Sequence, residues 1–162
     1  MMKQSAHTRS WQIAETILGA ALLLGLILGF ILPLPLSRWL PRPLSVAAGV
    51  ILLVIGFAII GRARRQFRVA GQPTDPGQPT TQLITTGIFY WSRNPLYLAG
   101  LIAFLGLGAL LNSLWLILLL IPVMIAFHII LIAPEEQYLE AKFGEPYRDY
   151  MRTVGRWIGR NR

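Results

Sequence analysis

Between Arg93 and Glu135 the chain runs for 41 residues without a charged side chain. As one continuous α-helix that stretch would measure about 62 Å, roughly twice the hydrocarbon core of a bilayer. It therefore has to turn back on itself. Asn112-Ser113 is the only polar pair inside it, and such residues favour a tight turn. The pattern predicts two antiparallel spans, about 95–111 and 114–133, with Pro122 kinking the second. Such a hairpin brings two polar edges to one end. One is LITTGIFYWSRNPLY at 83–97, and the other begins at Pro134-Glu135-Glu136.

Two further uncharged stretches precede the hairpin, at about 16–36 and 43–61, and each is long enough to cross a bilayer as a helix. The first is too long for a secretory signal, and more spans follow it. Its Gly25 and Gly29 form a small-xxx-small pair suited to close helix packing. Prolines 33, 35, 41 and 43 mark the connection, and the second span is expected to stop at GRARRQFR. Residues 69–82 read as a Gly/Pro/Thr-rich loop. Composition agrees, with 54% hydrophobic and only 14% charged residues. The expectation is one all-α integral membrane domain over 1–162, with four transmembrane helices and an amphipathic cytoplasmic tail.

The net charge of +8 invites a nucleic-acid reading, but its distribution has a simpler account. Four spans place Lys3, Arg9, the arginines at 62–68, Arg93 and the six basic residues after 141 on one side, and only Arg38 and Arg42 on the other. By the positive-inside rule both termini are cytoplasmic, and no nucleic-acid partner is expected. There is no cysteine, and His7 and His128 are too scattered for a metal site. In the tail, Tyr138, Leu139 and Phe143 recur at helical spacing. Gly144 breaks that helix, and a second begins near Pro146 with Tyr147, Tyr150 and Met151.

The hairpin sets Asn94 and Tyr97 at the start of one helix beside Glu135 and Glu136 at the end of its partner. Pro95 suits a first helical turn, whose free N–H groups and dipole receive anions. Two acids at a helix C-terminus oppose the dipole. Either they mark the membrane boundary in water, or a cationic or hydroxyl-rich ligand meets them. Adjacent residues do not share a helix face, so at most one points squarely into a pocket. His128 lies two turns deeper on a similar face, either as a packing residue or as a substrate-side group. Gly106-Leu107-Gly108 has no strand before it and reads as helix packing.

LITTGIFYWSRNPLY, a hydrophobic hairpin, and then PEEQYLEAKFGEPYRDYMRTVGRW together resemble the integral-membrane methyltransferases, which include isoprenylcysteine carboxyl methyltransferases and phospholipid methyltransferases. The likeness covers about residues 80–157. It implies an S-adenosylmethionine pocket open to the cytoplasm. Gln82, Leu83 and Ile84 would line the adenosine side, and Phe89 would pack against the cofactor. Asn94, Pro95 and Tyr97 would meet its methionine end, and Glu135 would bind it with support from Glu136. The resemblance further implies methyl transfer to a lipophilic, membrane-embedded substrate, with no covalent nucleophile. Asn94 stands where the carboxyl methyltransferases have His, Ala99 where a Gly often follows, and Leu131 where an Arg precedes the acids. The missing Arg argues against a prenylcysteine substrate. Two rival readings are a non-enzymatic membrane scaffold and an NADPH-dependent reductase of the sterol reductase type. Neither the acceptor atom nor an oligomeric state follows from the residues.

Overall fold

A computed structural model describes residues 10–71 and 81–160. His7 and most of the Gly/Pro/Thr-rich loop lie outside the described residues. The helices are α1 (Ser10–Ile31), α2 (Arg42–Val69), α3 (Pro95–Leu110), α4 (Leu114–Ala126), α5 (Ala133–Phe143) and α6 (Glu145–Thr153). Six residues in π-helical turns, Phe127–Ile132, join α4 to α5, so Leu114–Phe143 forms one 30-residue helix. The described residues contain no β-strand, only isolated bridges. Among the described residues three helices are long and apolar enough to cross a membrane: Gln12–Ile31, Arg42–Val69 and Leu114–Phe143. α3 is equally apolar but only 16 residues long.

Several expected boundaries move, each for a local reason. α1 starts at Ser10 and ends at Ile31 rather than at 36, because Pro33 and Pro35 forbid its continuation. α2 does not stop at the arginine cluster but carries Arg62, Arg64, Arg65 and Arg68 on regular helix to Val69. Arginine is a good helix former, so charge ends the apolar stretch without ending the helix. The fourth span likewise runs on past 133. Pro134 lacks an N–H and would crowd the carbonyl four residues back. The backbone widens just before it, and the Ala133 N–H reaches the His128 carbonyl five residues back. The turn at Asn112-Ser113 falls as expected. Asn112 takes the left-handed conformation (φ 55°), and the Ser113 hydroxyl caps α4 by accepting from the Leu116 N–H.

At this end the α1–α2 connection is stitched to the hairpin turn. Leu36 N–H donates to the Asn112 carbonyl (3.1 Å), Leu114 N–H to Leu34 (3.0 Å), and Ser37 N–H to Asn112 Oδ1 (2.8 Å). The Arg42 guanidinium donates to the carbonyls of Ala109 (3.2 Å) and Leu110 (2.7 Å), satisfying the last turn of α3. A groove of about 210 Å³ lined by Gly25, Gly29, Pro33, Asn112 and Ser113 lies here, remote from the acids.

The bundle is packed with small residues inside and large apolar ones outside. Ser45, Gly49, Gly56 and Ala63 are buried on α2, and Ala99, Gly106 and Ala109 on α3. Leu23, Ile27, Phe30, Val54, Phe57, Ile121 and Ile129 are exposed. This suits a lipid solvent, in which close backbone approach replaces hydrophobic collapse as the source of helix association. A Cβ on Gly49 would sit 2.8 Å from the Gly106 carbonyl oxygen, and one on Gly106 would sit 2.9 Å from that of Gly49. On α1, Gly25 admits Leu116, whose side chain would clash with an added Cβ, whereas Gly29 meets nothing closer than 4.0 Å. A Gly49→Leu substitution is therefore expected to destabilise the protein by about 1–3 kcal/mol or more through overpacking. Gly61→Ala, with open space around it, should be neutral or slightly stabilising. Thermal unfolding of both variants in detergent measures the difference.

Candidate functional site

Beyond the end of α3, α2 continues, and the segment 81–94 lies against this overhang. Gln82 donates to the Ala70 carbonyl, and Gln66 donates to the Thr86 hydroxyl at 2.8 Å. Gly87 turns the chain with φ 62°, in a place where a Cβ would meet the Gln66 side chain. Phe89 is buried edge-on against Phe67, with centroids 5.3 Å apart. From the other side the Tyr150 hydroxyl donates to the Phe89 carbonyl at 2.6 Å. Leu83 packs on the cluster of Tyr147, Tyr150 and Val154, while Ile84 is half-buried. Residues 82–84 and 89 thus tie α2 to the tail.

At the centre is Glu136, only 8% exposed. Arg93 Nη1 lies 2.9 Å from its Oε1, an ion contact without hydrogen-bond alignment. Arg156 grips the same carboxylate with Nε (3.1 and 3.2 Å) and Nη2 (2.7 Å). Such two-point guanidinium–carboxylate pairs are both strong and directional. The contact holds the Arg156 guanidinium still more firmly protonated than usual. Two guanidiniums facing one carboxylate leave an excess positive charge, and the buried Arg93 Nε finds no acceptor. Tyr147, almost wholly buried, has its hydroxyl pushed up to about 12, first by burial and then by the Glu136 charge. Burial pushes Tyr150 up as well.

Glu135 faces elsewhere. The Tyr97 hydroxyl donates to its Oε2 at 3.0 Å, and the Tyr97 ring meets Phe127 edge-on at 5.6 Å. Asn94 is buried; its backbone N–H donates to Ser92 Oγ (3.1 Å) and its Nδ2 donates to the Arg156 carbonyl (3.3 Å). No side chain caps α3, whose first residue is the buried Pro95. Asn94, Pro95, Tyr97, Glu135 and Glu136 are therefore brought together. The two acids, however, do not end a helix as the sequence reading had it. The helix continues to Phe143, so the unfavourable dipole at that point is absent and the arginines answer for Glu136 instead. His128 is not brought to the acids. It is half-buried in the π-helical turns, and its neighbour Phe127 fills the position against Tyr97.

Arg93, Arg156, Tyr147, Tyr150 and Ser92 are the functional neighbours that sequence reasoning missed. One signal was available: a glutamate next to an apolar span needs a cation, and Arg93 stands across the expected hairpin.

The structure defines a helical membrane protein with one polar site at one end of its bundle. The phospholipid methyltransferase family model matches residues 44–146, more than half of the chain. The chain belongs to the phospholipid methyltransferase family. It is also similar to the cobalt-zinc-cadmium resistance protein CzcN of Cupriavidus metallidurans, with 28% identity over 147 residues. That match covers 89% of this chain and 59% of the relative, so the chain spans about three-fifths of the length of that protein. No solved structure matches it.

Two outcomes follow from the site. Glu136→Ala strands Arg93 in the interior and should cost about 3–5 kcal/mol, while a paired Arg93→Leu/Glu136→Leu variant should recover part of the loss. Denaturation of the single and double variants checks this. The raised tyrosine hydroxyls stabilise the fold fully below their ordinary value near 10, and that contribution is lost as pH rises through about 12. The tail should therefore loosen in that window, and Tyr147→Phe should blunt the effect, as read by tyrosinate absorbance alongside circular dichroism.

Proposed function

We propose that the protein transfers a methyl group from S-adenosylmethionine to a lipophilic acceptor held in the membrane. The observation that carries this reading is the set of polar groups gathered at the start of α3. These are the uncapped N-terminus, the buried Arg93 Nε without an acceptor, and the Glu135 carboxyl group held by Tyr97. Family members generally use S-adenosylmethionine. The donor set fits that cofactor: an anion-seeking helix start and guanidinium for its carboxylate, a carboxyl group for its hydroxyls or cationic end, and aromatic rings for a cation.

In this reading Arg93 and the first N–H groups of α3 orient the carboxylate, while Glu135 and Tyr97 orient the cationic centre. When bound, the cofactor would supply an activated methyl for displacement by the acceptor, its sulfur leaving with the bonding electron pair. The protein contributes orientation and exclusion of water, which suffice for a displacement of this kind. Glu136 serves by fixing Arg93 and Arg156. Gln82, Leu83, Ile84 and Phe89 form the wall on the α2 side. His128, further along the fourth helix, is left to the acceptor side.

The four-span arrangement with cytoplasmic termini belongs to the same proposal. It is supported by the chain's basic residues, most of which lie at the end of the bundle that holds the site, and by the equal apolarity of α3. The acceptor would reach the site laterally from the bilayer.

Titration of S-adenosylmethionine into detergent-purified protein is expected to show saturable binding, weakened at least tenfold in Glu135→Gln with the fold unchanged. Absence of binding by folded, monodisperse protein would sink the reading. NADPH titrated in parallel should not bind.

A further inference from the structure

We propose that residues 154–160 form a hinged lid over the candidate site, with Arg156 as its latch. What lies beneath the lid rests on the cofactor reading above, whereas the lid itself rests on the chain's own contacts. The segment closes on itself. Val154 and Arg160 pair as an isolated antiparallel bridge, and Gly155 N–H donates to the Gly159 carbonyl at 2.7 Å. The turn needs its glycines: a Cβ on Gly155 would sit 2.9 Å from the Ile158 carbonyl oxygen, and Gly159 has φ 106°. One end is anchored, because Val154 is buried with Tyr147 and Tyr150. Ile158 at the tip is 70% exposed.

Beyond that anchor the segment meets the body mainly through polar contacts. Arg93 N–H donates to the Gly155 carbonyl (3.2 Å) and Gly159 N–H to the Trp91 carbonyl (2.9 Å). The Asn94 amide donates to the Arg156 carbonyl, and the Arg156 side chain holds Glu136. Arg160 lies 3.9 Å above the Tyr90 ring, and Trp157 packs partly buried against the hydrophobic core. These contacts spend Asn94 and cover Glu136, next to the groups a cofactor would address. A fixed strap would leave Asn94 committed to a main-chain carbonyl.

The charge count identifies which contact can be released. Glu136 carries one charge and faces two guanidiniums, Arg93 at 9% side-chain exposure and Arg156 at 37%. If Arg156 swings into water, Glu136 keeps a buried counter-ion 2.9 Å away. No charge is stranded, so the largest part of the cost that normally locks a buried ion pair is removed, and what release gives up is the two-point hydrogen bonding of Arg156. Loss of Arg93 has no such relief, because it sits deepest. The latch is Arg156.

Hydrogen exchange on the full chain in nanodiscs tests this directly. Segments 89–94 and 154–160 should exchange at least tenfold faster than the body of α6, and faster again in Arg156→Ala. Arg156→Lys, which keeps the charge but loses the two-point grip, should fall between. Exchange in step with α6, unchanged in both variants, overturns the lid. A lower melting temperature without faster exchange makes Arg156 structural only, and overturns the latch.

The chain has no cysteine, so a Tyr90→Cys/Arg160→Cys pair can be bridged by a short cleavable thiol cross-linker. Bridging should slow S-adenosylmethionine association at least tenfold, and cleavage should restore it. Equal rates in bridged and cleaved protein overturn the lid. Binding in neither form refutes the cofactor reading instead, and the exchange result still decides the lid.

Discussion

The site depends on one carboxylate. Glu136 is the point at which three separated stretches meet: Arg93 before α3, the long fourth helix, and Arg156 in the tail. A buried anion is tolerated only with partners, and here the partners are what draw distant segments into register. Asn94 joins the same knot by donating to the Arg156 main chain. Tyr147 and Tyr150 back it from α6, with the Tyr150 hydroxyl reaching the Phe89 carbonyl. The placement of Glu135 and Tyr97 thus follows from the next acid in the chain, whose own side chain is turned to the arginines.

The rest of the molecule provides a stiff support for that knot. α2 and α3 approach along glycine, alanine and serine, with carbonyl oxygens nearly touching the opposing glycines. Arg42 fastens the far end of this pair, and Phe67 and Gln66 fasten the near end. α1 packs chiefly against the fourth helix, with its Ala14 and Ala21 in the core beside Leu116 and Phe127. Rigidity is concentrated in one half of the bundle, where the polar segment 81–94 is seated.

Much of this was legible in the residues. The uncharged stretch between Arg93 and Glu135 forces a hairpin, Asn112 and Ser113 mark where it turns, and Gly144 marks the break before α6. The juxtaposition of Asn94 and Tyr97 with the acid pair follows from the same argument. What escaped was whatever depends on tertiary partners. Helix ends were drawn where apolar character stops, but hydrogen bonding continues through arginines on α2 and through Glu135 and Glu136 on α5. The division of labour between the acids depended on Arg156, which is 20 residues from Glu136 and joined to it only by the fold. The π-helical turns ahead of Pro134 escaped as well, because a uniform helical period could not reveal them.

The unequal lengths of α2 and α3 set the depth of the site. The two helices are flush where Arg42 meets Ala109 and Leu110, yet one has 28 residues and the other 16. At 1.5 Å per residue, α2 overshoots by about 18 Å, so the start of α3 lies at the bottom of a step. In the proposed four-span arrangement a helix of about 24 Å would also be shorter than the roughly 30 Å hydrocarbon layer, a mismatch that thins the bilayer or recesses the helix end. In that arrangement the step would sink a polar alcove below the level of the surrounding headgroups. There a water-borne molecule and the buried part of an amphiphile can share one compartment, without the amphiphile being lifted out of its leaflet.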